Sequence, residues 1–131
     1  MSWIDSALGI HPALLQFQSQ RSSALAANIA NESTPGFKAR DYDFQSVMRS
    51  IASGAETGLR TTQARHLAGP GSRGSANLLY RVPTKPLVDG NSVEPEVEQA
   101  LFAENALRYQ ASLQFLDGAF SGLKLAIRGQ R

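Results

Sequence analysis

Eight residues near the carboxyl end constrain this chain most. Phe102, Ala106, Tyr109, Leu113, Leu116, Phe120, Leu123 and Ile127 follow one another at intervals of 4, 3, 4, 3, 4, 3 and 4. A mean spacing of about 3.5 residues is the period of a coiled-coil seam, in which one stripe of a helix lies along a partner. In heptad terms Ala106, Leu113, Phe120 and Ile127 take the a positions, and Phe102, Tyr109, Leu116 and Leu123 take d. At ~1.5 Å per residue the stripe runs for roughly 37–39 Å, long for one helix of a 131-residue chain. Such a line of mostly large apolar groups needs a second surface. Leu113, Leu116 and Phe120 are expected to form the core of that contact. Replacing Leu116 with Asp is expected to abolish it, because an unpaired charge is expensive to bury.

The flanks suit a helix. Asn91 or Ser92 is expected as N-cap, with Pro95 in the first turn, where its missing N–H is not needed. Glu94, Glu96 and Glu98 lie at the positive end of the helix dipole, and Lys124, Arg128 and Arg131 at the negative end. Gly118 and Gly122 weaken the interior by about 1 kcal/mol each relative to Ala. They either admit another backbone at close range or simply soften the helix.

A partner helix is written into the amino-terminal zone. Leu8, Leu15, Ser22 and Ile29 recur every seven residues, with His11, Gln18 and Leu25 between them. Half of that stripe is polar or small, so it makes a poor core alone but can set small groups against the large ones of the seam. Gly9 breaks the pattern and Pro12 starts the main helix. Asn31 is expected to close it in the left-handed conformation. Thr34-Pro35-Gly36-Phe37 then has Pro and Gly in the order a type II turn requires. Phe37, Tyr42 and Phe44, interleaved with Lys38, Arg40, Asp41 and Asp43, predict an extended, partly buried segment.

The chain thus divides into a helix with its exit turn (1–44), a Gly- and Pro-bearing middle (45–88) and a heptad helix (89–131). The expected fold class is all-α in the main. The N- and C-terminal helices pair as a coiled-coil hairpin around a long irregular or partly β middle, and together form one assembly domain.

Charge is uneven along the chain rather than large in sum. Thirteen Lys and Arg against 11 Asp and Glu leave +2, too little to mark a nucleic-acid binder. Between Gln45 and Val88, however, Arg49, Arg60, Arg65, Arg73, Arg81 and Lys85 face the single acid Glu56. Residues 89–104 carry Asp89, Glu94, Glu96, Glu98 and Glu104 with no base. The two blocks can meet within one chain or between neighbours.

Chemistry is excluded on several fronts. The chain has no cysteine, which removes disulfides, thiol nucleophiles and cysteine-held metals, and suits an oxidising compartment. His11 and His66 are isolated, so no metal site is expected. Gly69-Pro70-Gly71-Ser72-Arg73-Gly74 fits G-x-G-x-x-G but lacks the preceding strand and following helix of a dinucleotide site; a loop is the expectation. Asn31-Glu32-Ser33 matches a glycosylation sequon that has no consequence without secretion by a signal peptide. No nucleophile motif is present. The expectation is a non-enzyme without cofactors. Asp5 stands where a secretory signal would want bases, the first Arg is Arg21, and no apolar run approaches the ~20 residues of a span. A soluble chain without membrane insertion is expected, leaving the cytoplasm, if it does, by a route that reads no such signal.

Asn28-Ile29-Ala30-Asn31-Glu32-Ser33-Thr34-Pro35-Gly36-Phe37-Lys38-Ala39 resembles the amino-terminal signature of the bacterial flagellar axial proteins, the rod and hook components. There a helix runs into Asn-x-x-Asn-x-x-Thr-Pro-Gly-aromatic-Lys; this chain has Phe37 where Tyr is common. Arg40-Asp41-Tyr42-Asp43-Phe44, Asp89-Gly90-Asn91-Ser92-Val93, Ala103-Glu104-Asn105-Ala106-Leu107-Arg108-Tyr109-Gln110 and Lys124-Leu125-Ala126-Ile127-Arg128-Gly129 narrow the likeness to the short proximal rod members. It covers roughly 1–44 and 89–131; the middle is not diagnostic, and Pro95 is a departure.

The resemblance implies a structural subunit of the basal-body rod in the periplasm, exported from the cytoplasm by the flagellar type III apparatus without a cleaved signal peptide. It implies polymerisation through both terminal helices around the export channel, beside the export gate, and transmission of torque. The implied partners are other copies, the rod protein FlgC and further rod subunits, the rod adaptor FliE and the export gate. Asn28, Asn31, Thr34, Pro35, Gly36 and Phe37 would be the assembly motif. The isolated monomer is expected to have mobile ends that order on assembly. The rival reading is a soluble coiled-coil adaptor or flagellar export chaperone, which would be expected to lack the Thr-Pro-Gly turn.

Overall fold

The computed structural model describes residues 7–53, 78–85 and 88–129. The elements are α1 (His11–Ala30), β1 (Arg40–Tyr42), α2 (Phe44–Ala52), β2 (Leu78–Tyr80) and α3 (Pro95–Arg128). The glycine-rich motif at 69–74, His66, Glu56, Arg60, Arg65, Arg73 and Arg131 lie outside the described residues.

The fold is mainly helical, and its terminal helices pair. α1 begins where the sequence predicts, with Pro in its first turn after Gly9, which adopts φ +59°. α3 is 34 residues long against 20 for α1, and begins with Pro95. Its N-cap position is Glu94, which makes no side-chain cap bond. Asn91 and Ser92 are therefore not the cap; both are buried and turned to the amino-terminal half of the chain. Asn31 also departs from expectation: it closes α1 at φ −105°, and no non-glycine residue among those described has positive φ.

The helices run antiparallel. Asn28 meets Glu98, Gln18 meets Asn105, and His11 stacks on Phe115 at 5.6 Å between ring centroids. β1 and β2 form a two-stranded antiparallel sheet across the Asn28 end, with Arg40 opposite Tyr80 and Tyr42 opposite Leu78. Phe17 packs edge-on against Tyr42 and tilted against Phe44. With Leu25, Ala39 and Val93 it makes up the small apolar core.

α2 replaces the extended run expected through Phe44. Asp43 accepts bonds from the N–H groups of Gln45 and Ser46 and caps the helix. Phe44, Val47, Met48 and Ile51 then recur at helical spacing.

The surface that closes the hairpin differs from the expected pairing of the eight-residue seam with the first helix. The buried residues of α3 are Glu98, Asn105 and Ser112, and those of α1 are Phe17, Gln18, Arg21, Leu25 and Asn28. Asn105 and Ser112 each precede an a position of the seam, so α3 is rolled by one residue, about 100°. Leu116 and Leu123 stay half-buried, whereas Phe102, Ala106, Tyr109, Leu113, Phe120 and Ile127 are exposed. The roll gives the Glu98 carboxylate and the Asn105 amide nitrogen their partners on α1 and its neighbours, since a buried polar group without one is costly, and it leaves Asn105 Oδ1 and Gln18 Oε1 buried without one.

Candidate functional site

The segment carrying the family resemblance is a turn held by a second segment distant in sequence. Gly36 adopts φ +73°, and the Phe37 N–H donates to the Thr34 carbonyl at 3.2 Å, completing the type II turn expected for Thr34-Pro35-Gly36-Phe37. Asn31 braces its entry, donating to the Ala27 carbonyl at 2.7 Å and accepting from the Thr34 hydroxyl at 3.1 Å. Thr34, Pro35 and Gly36 are exposed, and Phe37 is half-buried.

Residues 89–92 clamp this turn from the side. The Gly36 N–H donates to the Asp89 carbonyl at 3.0 Å, and the Ser92 N–H donates to the Phe37 carbonyl at 2.9 Å. The Ala39 N–H donates to Ser92 Oγ at 2.7 Å, and Lys38 Nζ to the Gly90 carbonyl at 2.6 Å. At the centre is Asn91, 1% exposed. Its Nδ2 lies 3.0, 2.8 and 2.9 Å from the carbonyls of Asn31, Glu32 and Thr34. Its Oδ1 accepts from the Val93 N–H at 2.8 Å. One side chain thus gathers three carbonyls of the turn that follows α1, two of which also accept the N–H groups of Thr34 and Phe37.

Asn28 performs a related task one turn earlier. Its amide donates to the Arg40 carbonyl at 2.8 Å and accepts from the Arg40 N–H at 3.1 Å, pairing with β1 as a neighbouring strand would. Nδ2 also donates to Glu98 Oε2 at 3.0 Å. From Glu98 a chain of alternating charges crosses the junction. Arg81 pairs with Glu98 through one nitrogen and donates to Asp41 Oδ2 at 2.7 Å through another. Arg21 grips the same Asp41 carboxylate with two parallel bonds of 3.0 Å, the geometry that suits guanidinium to carboxylate. The basic and acidic blocks therefore meet within one chain at this point. They meet again where Glu94 Oε1 accepts from the N–H and hydroxyl of Thr84 and the N–H of Lys85. The Thr84 and Lys85 bonds hold the Glu94 carboxyl below the usual range.

Burial alone would raise the pKa of Asp41. The Arg21 hydrogen bond, the Tyr42 N–H and the charges of Arg21 and Arg81 outweigh it and leave the carboxyl below its ordinary value of 3.8. A carboxylate depressed on folding adds stability that is fully present above its unfolded pKa and is lost as pH falls through the folded one. Melting temperature is accordingly expected to fall as pH drops below about 4. The fall should be shallower in Asp41→Asn, which has no proton to gain there; equal slopes would show that other acids govern the loss.

Along the hairpin, Asn105 donates to the Gln18 carbonyl at 2.8 Å and to Ser22 Oγ at 2.7 Å. α3 keeps several exposed apolar side chains: Phe120 is 51% and Ile127 72% exposed, and Leu107, Phe115 and Leu125 are exposed as well. Among the described residues no cluster of three or more His, Cys, Asp or Glu could hold a metal, and no helix is long and apolar enough to cross a membrane. The arrangement fixes shape and presents a greasy helix face. The sequence pointed to Asn28, Asn31 and the turn; it did not point to the roles of Arg21, Asp41, Arg81, Asn91 and Glu98. The Asp89-Gly90-Asn91 run was the one local signal for the clamp.

No family model matches the chain. Among curated proteins it is 50% identical over 132 residues to the flagellar basal body rod protein FlgB of Cereibacter sphaeroides (strain ATCC 17029), an alignment covering 99% of this chain and all of the relative. It is 40% identical to the FlgB of Yersinia enterocolitica over 92% of each chain. With the FlgB of Salmonella typhimurium the identity is 39% over 96% of each.

Proposed function

The chain belongs to the FlgB family of flagellar basal body rod proteins, and on that premise we propose that it polymerises through α1 and α3 beside the export gate and transmits torque along the rod. It is a structural component of the flagellar basal body. The proposed neighbours are further copies, FlgC and other rod subunits, the adaptor FliE and the type III export gate. The proposed route is export from the cytoplasm without a cleaved signal peptide, ending in the periplasmic part of the rod.

The observation that carries this reading is the apolar face that α3 keeps after pairing with α1. Phe102, Tyr109, Leu113, Phe120 and Ile127 line it, all at least 36% exposed. Apolar area left in water is worth about 25 cal/mol per Å² once another molecule covers it. A helix that turns its polar line inward and its large side chains outward is suited to a neighbour. Rod membership sets aside the adaptor or chaperone alternative. Copurification with basal bodies tests the assignment: the protein should travel with the rod fraction, and its consistent absence there would reject the proposal. In dilute solution, hydrogen exchange over residues 113–127, past the last buried residue of α3, should be fast; strong protection there in a lone monomer would mean that this part of the helix needs no partner.

The turn is proposed as part of the same assembly device. A Cβ at Gly36 would meet nothing within 4 Å, so the obstacle to substitution is φ +73° itself. Gly36→Val is expected to lose about 1–2 kcal/mol or more by forcing a branched residue toward the left-handed region. Reduced swimming and rod yield are the expected readouts. Gly36→Asn should retain more of both, since Asn tolerates that conformation.

A further inference from the structure

Arg81 is the one member of the buried charge chain supplied by neither end of the protein. Arg21 and Asp41 come from the first 44 residues and Glu98 from α3, whereas Arg81 follows β2 at the close of the middle segment. Its backbone N–H donates to the Ala39 carbonyl at 2.9 Å, extending the β1–β2 ladder by one step. The guanidinium can therefore reach its partners only when β2 is paired. We infer that Arg81 is a latch that makes closure of α1 on α3 conditional on the pairing of β2 with β1.

The dependence comes from Glu98. Its side chain is 0% exposed, with Asn28 on one oxygen and Arg81 on the other. Asp41, by contrast, keeps its two-bond grip from Arg21 when Arg81 leaves. Withdrawal of Arg81 therefore falls on Glu98, which is left as a buried carboxylate with an uncharged amide for company. Such a group must take up a proton or reach water. Reaching water means parting α3 from α1 at the Asn28 end. The charged groups around Glu98 are Arg81 from beyond β2, Asp41 from β1 and, through Asp41, Arg21 from α1. On α3's own side the nearest acid in sequence is Glu94, already engaged with Thr84 and Lys85. With Arg81 docked, the chain Arg21, Asp41, Arg81 and Glu98 is electrically balanced; with it undocked, the hairpin opens.

Hydrogen exchange on the full-length chain tests this with Arg81→Met, Glu98→Gln and the double variant at pH 7. Arg81→Met should speed exchange about tenfold or more at residues 25–30 of α1 and 98–105 of α3, far from the substituted residue in sequence. Adding Glu98→Gln should bring those amides back to within about threefold of Glu98→Gln alone, because no buried charge is left to expel. Faster exchange confined to residues 40–42 and 78–82 would overturn the latch and leave Arg81 a local strand anchor. If Arg81→Met fails to fold, a folded double variant supports the latch and an unfolded one overturns it.

Discussion

Asn91→Asp is expected to be the most damaging near-isosteric change in the chain. It keeps the oxygen that accepts from the Val93 N–H and removes the amide that serves the carbonyls of Asn31, Glu32 and Thr34. Leaving an acceptor without a donor costs about 1–3 kcal/mol; here the Glu32 carbonyl loses its Asn91 donor, the Asn31 and Thr34 carbonyls fall back on the N–H groups of Thr34 and Phe37, and a negative charge arrives among all three. Set against a total stability of about 5–15 kcal/mol for ordinary domains, a loss of several kcal/mol removes a large share of the folded population. The urea midpoint at pH 7 should fall steeply, and rod incorporation with it. The pH response carries a sign of its own. The introduced carboxyl, facing carbonyl oxygens, is better tolerated protonated, so the gap to wild type should narrow as pH falls; the Asp41 contribution is lost from both proteins there and cancels from the comparison. An unchanged midpoint would mean that the end of α1 finds other donors, and the clamp would lose its central part.

Why Asn91 was legible only as a capping candidate is instructive. Asn near the start of a helix is read as a cap because its short side chain can reach the first free N–H groups. Asn91 stands four residues before Pro95, with the opposite need close by: carbonyls in the turn after α1, across 57 to 60 residues of sequence. An amide can accept or donate, and nothing local decides which need it meets. The turn was different. Pro followed by Gly dictates its own conformation, and Gly36 at φ +73° follows directly from residue type. α2 was also present in the spacing of Phe44, Val47, Met48 and Ile51, but the alternation of charge and aromatic from Phe37 to Phe44 suggested an extended chain. Asp43, the capping residue, is what ends that run.

The long helices show the same division. Heptad spacing located α3 and its apolar stripe, because periodicity is a property of one segment. Which line of that helix meets α1 depends on partners elsewhere: Asn28 with Glu98 lies across 70 residues and Gln18 with Asn105 across 87. Burying Glu98 and Asn105 is tolerable only where those partners stand, so the polar line wins the inside of the hairpin and the apolar seam is turned to its flank. Hydrophobic pattern alone gives the opposite ranking, since it scores the seam above Glu98, Asn105 and Ser112.

That rotation separates two functions which a single substitution can distinguish. Phe120 is 51% exposed and sits on the open face, whereas Leu116 is half-buried on the edge that faces α1. Phe120→Asp should leave the circular dichroism spectrum of the monomer unchanged and its urea midpoint within the ~0.5 kcal/mol typical of surface changes. In the rod it should be prohibitive. A phenyl side chain with roughly half its ~150–250 Å² still to be covered offers about 2–3 kcal/mol to each contact, and a carboxylate in its place would have to be buried unpaired. Normal expression, normal folding and loss of copurification with basal bodies are therefore the expected set. Leu116→Asp should fail in both assays, because its carboxylate disturbs the hairpin before any neighbour arrives. Phe120→Asp rods in normal yield would place that face in solvent in the assembled shaft, and the packing partner of α3 would then have to be sought on another side of the helix.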